Sequence, residues 1–286
     1  MGTDPSDNPT WSKLAEKIDS VELRTDVPHS ARMYDYYLGG KDNFAADREA
    51  AEQALAAFPH ARTTARANRA FLRRAVRYLV TEAGIRQFLD IGTGIPTSPN
   101  LHEVAQGAAP ECRVVYTDND PIVLAHARAL LTSTPEGRTA YLNADLREPA
   151  KILESAELRD TLDLTQPVAL SLVAILHFFP DETDPFGIVR TLLDALPSGS
   201  YLVLSHGTSD FSTPEVARRF LEVYRSRGIP MQARTRDEVA RFFDGLDLVE
   251  PGIQTTHRWR PDLADEDESS LTDEEVAAYA AIARKP

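Results

Sequence analysis

The stretch Gln87-Phe-Leu-Asp-Ile-Gly-Thr-Gly-Ile-Pro96 predicts the fold, because a short apolar segment there runs directly into a glycine pair. Its apolar residues are typical of a parallel strand that is covered on both faces. Gly92 and Gly94 permit positive φ angles and let a ligand approach bare backbone. We therefore expect a buried strand that ends in a ligand-binding turn, with Asp90 beside that turn.

Two classes of ligand use such a turn. A dinucleotide needs a third glycine and free N–H groups in the first turn of the next helix. Here Thr97 stands at the third glycine position, and Pro96 and Pro99 carry no N–H. S-adenosylmethionine has no phosphate and tolerates this loss, and the Asp90 carboxylate would hold its ammonium group directly or through water. The motif alone also fits a tight turn without a ligand.

Two further carboxylates follow at the ends of the next two predicted strands. Asp118 lies 24 residues after Gly94, where this architecture places an acid that accepts both hydroxyls of a ribose. Asp118 and Asp120 would equally suit the cap of the helix that follows. Asp145 ends the third strand, where it would accept from an adenine amino group while the next N–H donates to the ring. Acids at three consecutive strand ends predict one site at the carboxyl edge of the sheet.

Histidines occupy the ends of the next two predicted strands. The apolar run 167–176 stops at His177, and the strand 200–206 ends at His206. A histidine at a strand end is either a candidate base or a hydrogen-bonded structural group. Both would lie at the edge that carries the acids.

An N-terminal block, Ser30-Ala-Arg-Met-Tyr-Asp-Tyr-Tyr-Leu-Gly-Gly-Lys-Asp-Asn-Phe44, concentrates aromatic and glycine residues. Tyr34, Tyr36 and Tyr37 would form a lid or a substrate wall. Alternatively, the block is a helix that docks its aromatic rings on the core and ends at the two glycines.

Composition narrows the classes of function. Lys and Arg total 31 against 44 Asp and Glu, and the net charge of -13 argues against non-specific binding to nucleic acid or to an anionic membrane. The single cysteine, Cys112, excludes an intrachain disulfide and a cysteine-built metal cluster. No basic-then-apolar leader opens the sequence, and its longest apolar run is shorter than the roughly 20 residues of a membrane helix. We expect a cytoplasmic protein with no metal site.

Periodicity predicts the remaining elements. Helices are expected at residues 11–18, 47–58, 65–83, 98–106 with Ser98 as N-cap, 121–131, 184–196, 213–227 and 235–243, and a late strand at 246–250. Arg66, Arg69, Arg73 and Arg77 share one helical face, which is either solvated or a basic strip for an acidic ligand group. Residues 262–275 carry eight acids and read as a solvated loop. Residues 277–285 fit a helix, with Thr272 and Glu275 as a capping box, or an edge strand.

Several of these blocks resemble known families. Phe88-Leu-Asp-Ile-Gly-Thr-Gly94, Val115-Tyr-Thr-Asp-Asn-Asp-Pro121 and Asn143-Ala-Asp-Leu146 are similar to the first three cofactor motifs of class I S-adenosylmethionine-dependent methyltransferases. The blocks Ala31-Arg-Met-Tyr-Asp-Tyr-Tyr-Leu-Gly-Gly-Lys-Asp-Asn-Phe44, Ala65-Arg-Ala-Asn-Arg-Ala-Phe-Leu-Arg-Arg74 and Trp259-Arg-Pro261 resemble a bacterial group of that superfamily long classed as a domain of unknown function. The match extends over nearly the whole chain from about residue 28.

The resemblance implies an α/β fold with a Rossmann-like, seven-stranded, mostly parallel sheet flanked by helices. Its last strand, 277–285, would be antiparallel. An N-terminal helical extension or lid (1–80) would precede the S-adenosylmethionine-binding domain (81–286) within one compact unit. The cofactor-binding residues would then be Asp90, Gly92 and Gly94 at the methionine part, Asp118 at the ribose, and Asp145 and Leu146 at the adenine. Asn119, beside Asp118, would also bind the cofactor.

The function that these features predict is methyl transfer from S-adenosylmethionine to a small-molecule acceptor by in-line displacement, which leaves S-adenosylhomocysteine. His177, His206 and Tyr37 are the candidates for a base or for positioning the acceptor. The fourth motif lacks the Asn-Pro-Pro-Tyr of nucleic-acid amino methylases, which argues against bases of DNA or RNA as substrate. A non-catalytic S-adenosylmethionine sensor is the alternative. An NAD-dependent oxidoreductase would leave Asp145 and the Pro96 loop unexplained.

Overall fold

The computed structural model describes residues 24–130, 132–265 and 267–286, so the helix expected at residues 11–18 lies outside the described residues. Eight strands form one sheet: β1 (Gln87–Ile91), β2 (Arg113–Asp118), β3 (Arg138–Asn143), β4 (Ala169–Val173), β5 (Tyr201–Gly207), β6 (Asp247–Leu248), β7 (Gln254–Thr255) and β8 (Ala278–Arg284). The helices are α1 (Ser30–Leu38), α2 (Ala45–Ala57), α3 (Ala61–Thr81), α4 (Leu101–Ala108), α5 (Pro121–Leu130), α6 (Pro149–Leu153), α7 (Ala156–Thr161), α8 (Pro185–Asp194), α9 (Pro214–Ser226), α10 (Arg236–Ala240) and α11 (Asp273–Val276).

The sheet has the strand order β3-β2-β1-β4-β5-β8-β6, and β7 also pairs with β8. The first five strands are mutually parallel, and β8 is antiparallel to β5. The order reverses between β1 and β4, which is where open α/β sheets bind ligands. The predicted Rossmann-like, mostly parallel sheet is confirmed.

The two faces of the sheet carry separate hydrophobic cores, as the period-two alternation of a strand requires. On β1, Phe88 packs against the buried face of α3, while Leu89 and Ile91 pack on the opposite face. Helices α7 and α8 contribute to the second core. The continuous apolar character of β1 follows from this burial on both faces.

The segment before the last strand contains both structures that its sequence allowed. Thr272 and Glu275 form the predicted capping box, but α11 ends at Val276. Ala277 has a φ of 41°, and β8 follows at once. β8 is an internal strand and not an edge strand, because it lies between β5 and the short strands β6 and β7.

The predicted start of the fourth helix at Ser98 is wrong. The helix begins at Leu101, and Asn100 is its N-cap. The Glu103 carboxylate accepts hydrogen bonds from the Asn100 N–H and from the Ser98 hydroxyl. Glu103 therefore fixes the cap two residues later than the Ser-Pro pair had indicated.

The arginine face of α3 binds other parts of the chain. Arg77 donates to the carbonyl of Leu263 and pairs with Asp265, which also pairs with Arg73. Arg69 donates to the carbonyl oxygens of Thr97 and Pro99, which follow the glycine turn. Part of the acidic segment is thus docked on this helix. Across the residues that the structure describes, no helix combines the length and apolarity needed to cross a membrane.

Candidate functional site

The glycine turn after β1 has the conformation that its sequence predicts. Gly92 and Gly94 have φ angles of 75° and 68°. A Cβ on Gly92 would lie 2.6 Å from Cγ1 of Ile175, so the Ile175 side chain packs directly against the bare backbone of this glycine. A Cβ on Gly94 would meet no atom within 4 Å, because this residue faces open space. The turn therefore leaves room for a ligand beside Gly94.

Asp118, at the end of β2, is held by two backbone donors. The Gly94 N–H donates to its Oδ2 and the Asp120 N–H to its Oδ1, each over 2.9 Å. Burial raises the pKa of the Asp118 carboxyl, and the two N–H groups counteract this effect. Asp120 itself accepts from the Ile122 N–H, so it is Asp120 that caps the next helix.

Asp90, at the end of β1, is buried. Burial raises the pKa of its carboxyl to about 6, although the Arg69 guanidinium favours the charged form. A buried carboxylate without a paired cation gains from a ligand ammonium group. That Asp90 binds the ammonium group of the cofactor stays a prediction.

Asp145 follows β3 and is bound by Arg147 through two side-chain donors and the backbone N–H. These contacts lower the pKa of the Asp145 carboxyl to about 2. The Asn119 amide lies 3.3 Å from the same carboxylate. An adenine amino group would have to share this carboxylate with the exposed Arg147 side chain.

A cavity of about 510 Å³ lies over the carboxyl ends of β1, β2 and β3. All seven residues that the sequence predicted for cofactor binding line it: Asp90, Gly92, Gly94, Asp118, Asn119, Asp145 and Leu146. Its volume falls within the roughly 300–1,000 Å³ of small-molecule sites. Three carboxylates suit the ammonium, ribose and adenine amino donors of S-adenosylmethionine.

The N-terminal segment forms the roof of this cavity. Arg24 and Val27 to Ala31 line it. His29 lies 3.2 Å from Asp120 between Nδ1 and Oδ2, and the buried Arg32 is 3.4 Å from Asp47 between Nε and Oδ1. The first contact joins the start of α1 to the residues that follow β2, and the second joins α1 to α2.

A second, smaller cavity of about 120 Å³ adjoins the first. The two cavities share the lining residues Ser30, Tyr34, Asn68, Ala174 and Phe178. The candidates His177, His206 and Tyr37 all line the smaller cavity. The sequence-predicted residues thus divide cleanly, with the acids and glycines in one chamber and the aromatic candidates in the other.

His177 offers an unpaired ring nitrogen. Its Nδ1 is buried and has no hydrogen-bond partner among the described residues. Burial, and after it the Arg234 charge, lowers the pKa of His177 to about 4. The ring is therefore neutral at neutral pH, and one of its two nitrogens carries a lone pair.

His206 cannot act as the base, which corrects one of the roles considered for it. The Arg234 Nη1 donates to His206 Nε2 over 2.8 Å, and His206 Nδ1 lies 2.8 Å from the carbonyl oxygen of Gly207. Because arginine can only donate, Nε2 accepts and Nδ1 carries the hydrogen. Both ring nitrogens are thus occupied, and the pKa of His206 lies well below its ordinary value because the ring is buried.

Tyr37 is likewise excluded as a base. Its hydroxyl oxygen lies 2.9 Å from that of Tyr224. Burial, together with this neighbour, raises the pKa of Tyr37 well above its ordinary value. Tyr37 keeps its hydrogen at neutral pH and can only position a ligand.

Sequence reasoning missed the polar network between the two cavities. Tyr34 donates to the Ala65 carbonyl and accepts from Asn68 Nδ2 over 2.8 Å, while Asn68 Oδ1 accepts from the Ser205 hydroxyl over 2.5 Å. Ser205 accepts from the N–H of Ala174, whose φ is 57°. The signal for Asn68 was a single amide on an apolar and basic helix, whereas nothing in the sequence marks an alanine for a positive φ.

The reversed strand order, the acid-lined cavity at the switch point and the antiparallel last strand define the class of Rossmann-like methyltransferases that use S-adenosylmethionine. A family model described as S-adenosyl methyltransferase matches residues 16–286, and the chain belongs to this family. S-adenosylmethionine is accordingly its cofactor.

Two crystal structures are similar over nearly the whole chain. A DUF574 family protein from Streptomyces avermitilis shares 56% identity, with a TM-score of 0.88, over 93% of this chain and 100% of that chain. A candidate methyltransferase from Thermobifida fusca shares 41% identity, with a TM-score of 0.83, over 92% of this chain and 97% of that chain. The search of curated proteins gave no match.

Proposed function

We propose that this chain transfers the methyl group of S-adenosylmethionine to a small-molecule acceptor that binds in the smaller cavity. The observation that carries the proposal is the shared wall: the cavity lined by the seven predicted cofactor residues and the one lined by His177 have five residues in common. A methyl donor and an acceptor held in these two chambers would meet at Asn68, Tyr34 and Phe178.

Nucleic acid is not the acceptor in this proposal. The net charge is -13, and the smaller cavity is lined mainly by apolar and aromatic side chains. A polynucleotide would need an open basic groove that tracks its phosphates. A membrane-bound acceptor is not proposed either.

The cofactor, when bound, supplies a methyl group on a cationic sulfur, and the carbon–sulfur bond breaks with its electron pair retained by sulfur. The residues of the chain then have three tasks. Asp90 and Asp118 hold the donor in a fixed orientation, and the polar network through Asn68 fixes the wall between donor and acceptor. His177 Nδ1 takes the proton from the acceptor oxygen as that oxygen forms its bond to the methyl carbon.

His206 and Arg234 act through His177 in this proposal. The rings of His177 and His206 meet edge to face, with centroids 5.7 Å apart. Arg234 donates to the carbonyls of Leu176 and Phe179, on either side of the His177 turn. This arrangement fixes the backbone that presents the His177 ring to the cavity.

We also propose that the N-terminal extension, residues 1–80, serves as the lid of the cofactor domain, residues 81–286. Support comes from α1, whose N-terminal residues line both cavities, and from the His29 to Asp120 contact. A lid of this kind would exclude water during transfer.

The test is calorimetric titration with S-adenosylmethionine and S-adenosylhomocysteine, with NADH as control ligand and Asp118→Ala as control variant. We expect saturable binding of both sulfur compounds, loss of that binding in the variant, and no binding of NADH. NADH binding instead would favour an oxidoreductase. Tight binding without transfer to any acceptor would favour a sensor.

The role of His177 needs its own variant. His177→Gln keeps a polar group of similar size but removes the ring base. With an identified acceptor, we expect kcat to fall by about a hundredfold or more while the affinity for S-adenosylhomocysteine is unchanged. An unchanged kcat would exclude His177 as the base.

A further inference from the structure

A pair of buried tyrosines lies in the wall of the smaller cavity. Tyr37 comes from α1 and Tyr224 from α9, and their hydroxyl oxygens are 2.9 Å apart. Both rings line the cavity within an apolar cluster that includes Phe58 and Met231. The described residues offer these two hydroxyls no hydrogen-bond partner besides each other.

One of the two hydroxyl hydrogens has no acceptor within the tyrosine pair. Two hydroxyls carry two hydrogens, and a single contact between them consumes one, whichever oxygen donates. Neither group ionises near neutrality, because burial raises the pKa of Tyr224 to about 12 and that of Tyr37 well above its ordinary value. Since buried donors almost always find an acceptor, the remaining O–H points to an oxygen or nitrogen that a ligand provides.

The two cavities differ sharply in charge. Asp90, Asp118 and Asp145 line the larger one, together with four arginines. Among the described residues that line the smaller one, none is Asp, Glu, Lys or Arg. An ionic group of a ligand would lose its hydration there without gaining a counter-charge. The occupant is therefore uncharged at the end that enters this cavity.

Size and shape limit the occupant further. The volume of about 120 Å³ is close to the roughly 150 Å³ of an apolar protein cavity that holds benzene. The ring of Phe178 lies 4.3 Å from that of His177 and 6.0 Å from that of Tyr224, between centroids. An aromatic ring placed here would contact Phe178 and have His177 and the tyrosine pair within its surroundings.

We propose that Tyr37 and Tyr224 form a specificity subsite that donates a hydrogen bond to a neutral oxygen of the methyl acceptor, such as a carbonyl. The acceptor then places a single uncharged ring in this cavity, with a hydroxyl toward His177 and an oxygen acceptor toward the tyrosines. This inference rests on the proposed function and names the substrate class of the same site.

The experiment measures binding of four probes to the full chain saturated with S-adenosylhomocysteine, by calorimetry. The probes are para-hydroxyacetophenone, para-ethylphenol without the carbonyl, the anion para-hydroxybenzoate and the cation tyramine. The variant is the double substitution Tyr37→Phe with Tyr224→Phe. Tyr36→Phe is the matched control, because the Tyr36 hydroxyl contacts Glu52 and its ring lies under Arg62, outside the cavity lining.

We expect para-hydroxyacetophenone to bind about tenfold more tightly than para-ethylphenol, as one hydrogen bond between buried neutral groups allows. The double variant should bring this ratio close to one, and Tyr36→Phe should leave it unchanged. The two ionic probes should bind most weakly.

Three results would overturn the inference: equal binding of the two neutral probes, tighter binding of an ionic probe, or no binding of any probe. If the same sample binds S-adenosylhomocysteine normally, each of these results contradicts the proposed subsite and leaves the proposed function intact. A failed titration would instead count against the proposed function. Thermal unfolding of the double variant, compared with Tyr36→Phe, separates a lost subsite from a lost fold.

Discussion

The backbone N–H of Gly94 donates a hydrogen bond to Oδ2 of Asp118 over 2.9 Å, and this joins the glycine turn of β1 to the acid that ends β2. Oδ1 of the same carboxylate accepts from the Asp120 N–H. The acid expected at the ribose is therefore oriented before any ligand arrives. Such pre-organisation lowers the entropy that binding must overcome.

Replacing Asp118 by Asn should weaken both folding and ligand binding. An amide has one oxygen, so its NH2 group would face one of the two backbone donors. We expect the free energy of unfolding to fall by about 1–3 kcal/mol, the cost of a buried unsatisfied donor. The affinity for S-adenosylhomocysteine should fall as well. Urea unfolding and calorimetry measure the two effects, and Asp160→Asn on the exposed surface should change neither.

Replacing each of the two turn glycines by alanine should have different effects on stability and on ligand binding. In Gly92→Ala, a positive φ combines with a Cβ 2.6 Å from Ile175, so we expect a loss of about 2–4 kcal/mol in unfolding free energy. In Gly94→Ala, only the φ strain of about 1 kcal/mol applies, but the new methyl group enters the ligand space. We expect about tenfold weaker S-adenosylhomocysteine binding there. Equal effects of the two substitutions on stability would contradict this geometry.

Replacing Asp90 by Asn should stabilise the free protein and weaken its ligand binding. The pKa of about 6 in the fold exceeds the unfolded value of 3.8, so the stability from this carboxyl is complete below pH 3.8 and is lost as pH rises through 6. At pH 8, Asp90→Asn should be more stable than the native chain by up to about 3 kcal/mol.

The same substitution should flatten the pH dependence of binding. In the native chain, the affinity for S-adenosylhomocysteine should fall about tenfold between pH 7.5 and pH 5, as the Asp90 carboxylate gains a proton. Calorimetry at the two pH values on both proteins gives the comparison. A native affinity that does not change with pH would show that Asp90 makes no charged contact with the ligand.

Arg234 should be essential to the fold around the smaller cavity, whereas Arg241 should not be. Both guanidinium groups lie over the Phe186 ring, but Arg234 is buried and also binds His206, Asp181 and two carbonyls. Arg234→Lys cannot reproduce this fork of donors, and we expect a loss of about 3 kcal/mol in unfolding free energy. Arg241→Lys should cost less than about 1 kcal/mol. Urea unfolding of the two variants gives both losses in unfolding free energy. Their difference separates the contribution of the buried hydrogen bonds from that of the contact with the Phe186 ring.

The parallel strands and the candidate cofactor residues could be predicted from local pattern, whereas the strand order β3-β2-β1-β4-β5-β8-β6 is seen only in the structure. Apolar segments of strand length, each ending in an acid, predict parallel strands whose carboxyl ends meet, and Asp90, Asp118 and Asp145 do line one cavity. The local pattern did not predict where each helix begins and ends. Ser98 read as a cap, but Glu103 selects Asn100, because the bond depends on which backbone N–H the carboxylate reaches.

The sequence by itself determined the fold class and indicated the family, because hydrophobic periodicity and short motifs are local properties of the chain. It also predicted seven candidate cofactor residues, all of which line one cavity. Only the tertiary structure separated the candidates for catalysis. His177 and His206 look alike as histidines at strand ends. Arg234, from a distant segment, donates a hydrogen bond to Nε2 of His206, whereas Nδ1 of His177 has no hydrogen-bond partner among the described residues. The hydrogen-bond partners of a buried group come from residues far away in sequence. Whether such a group is protonated, and whether it is free to bind a ligand, therefore depends on the packed fold.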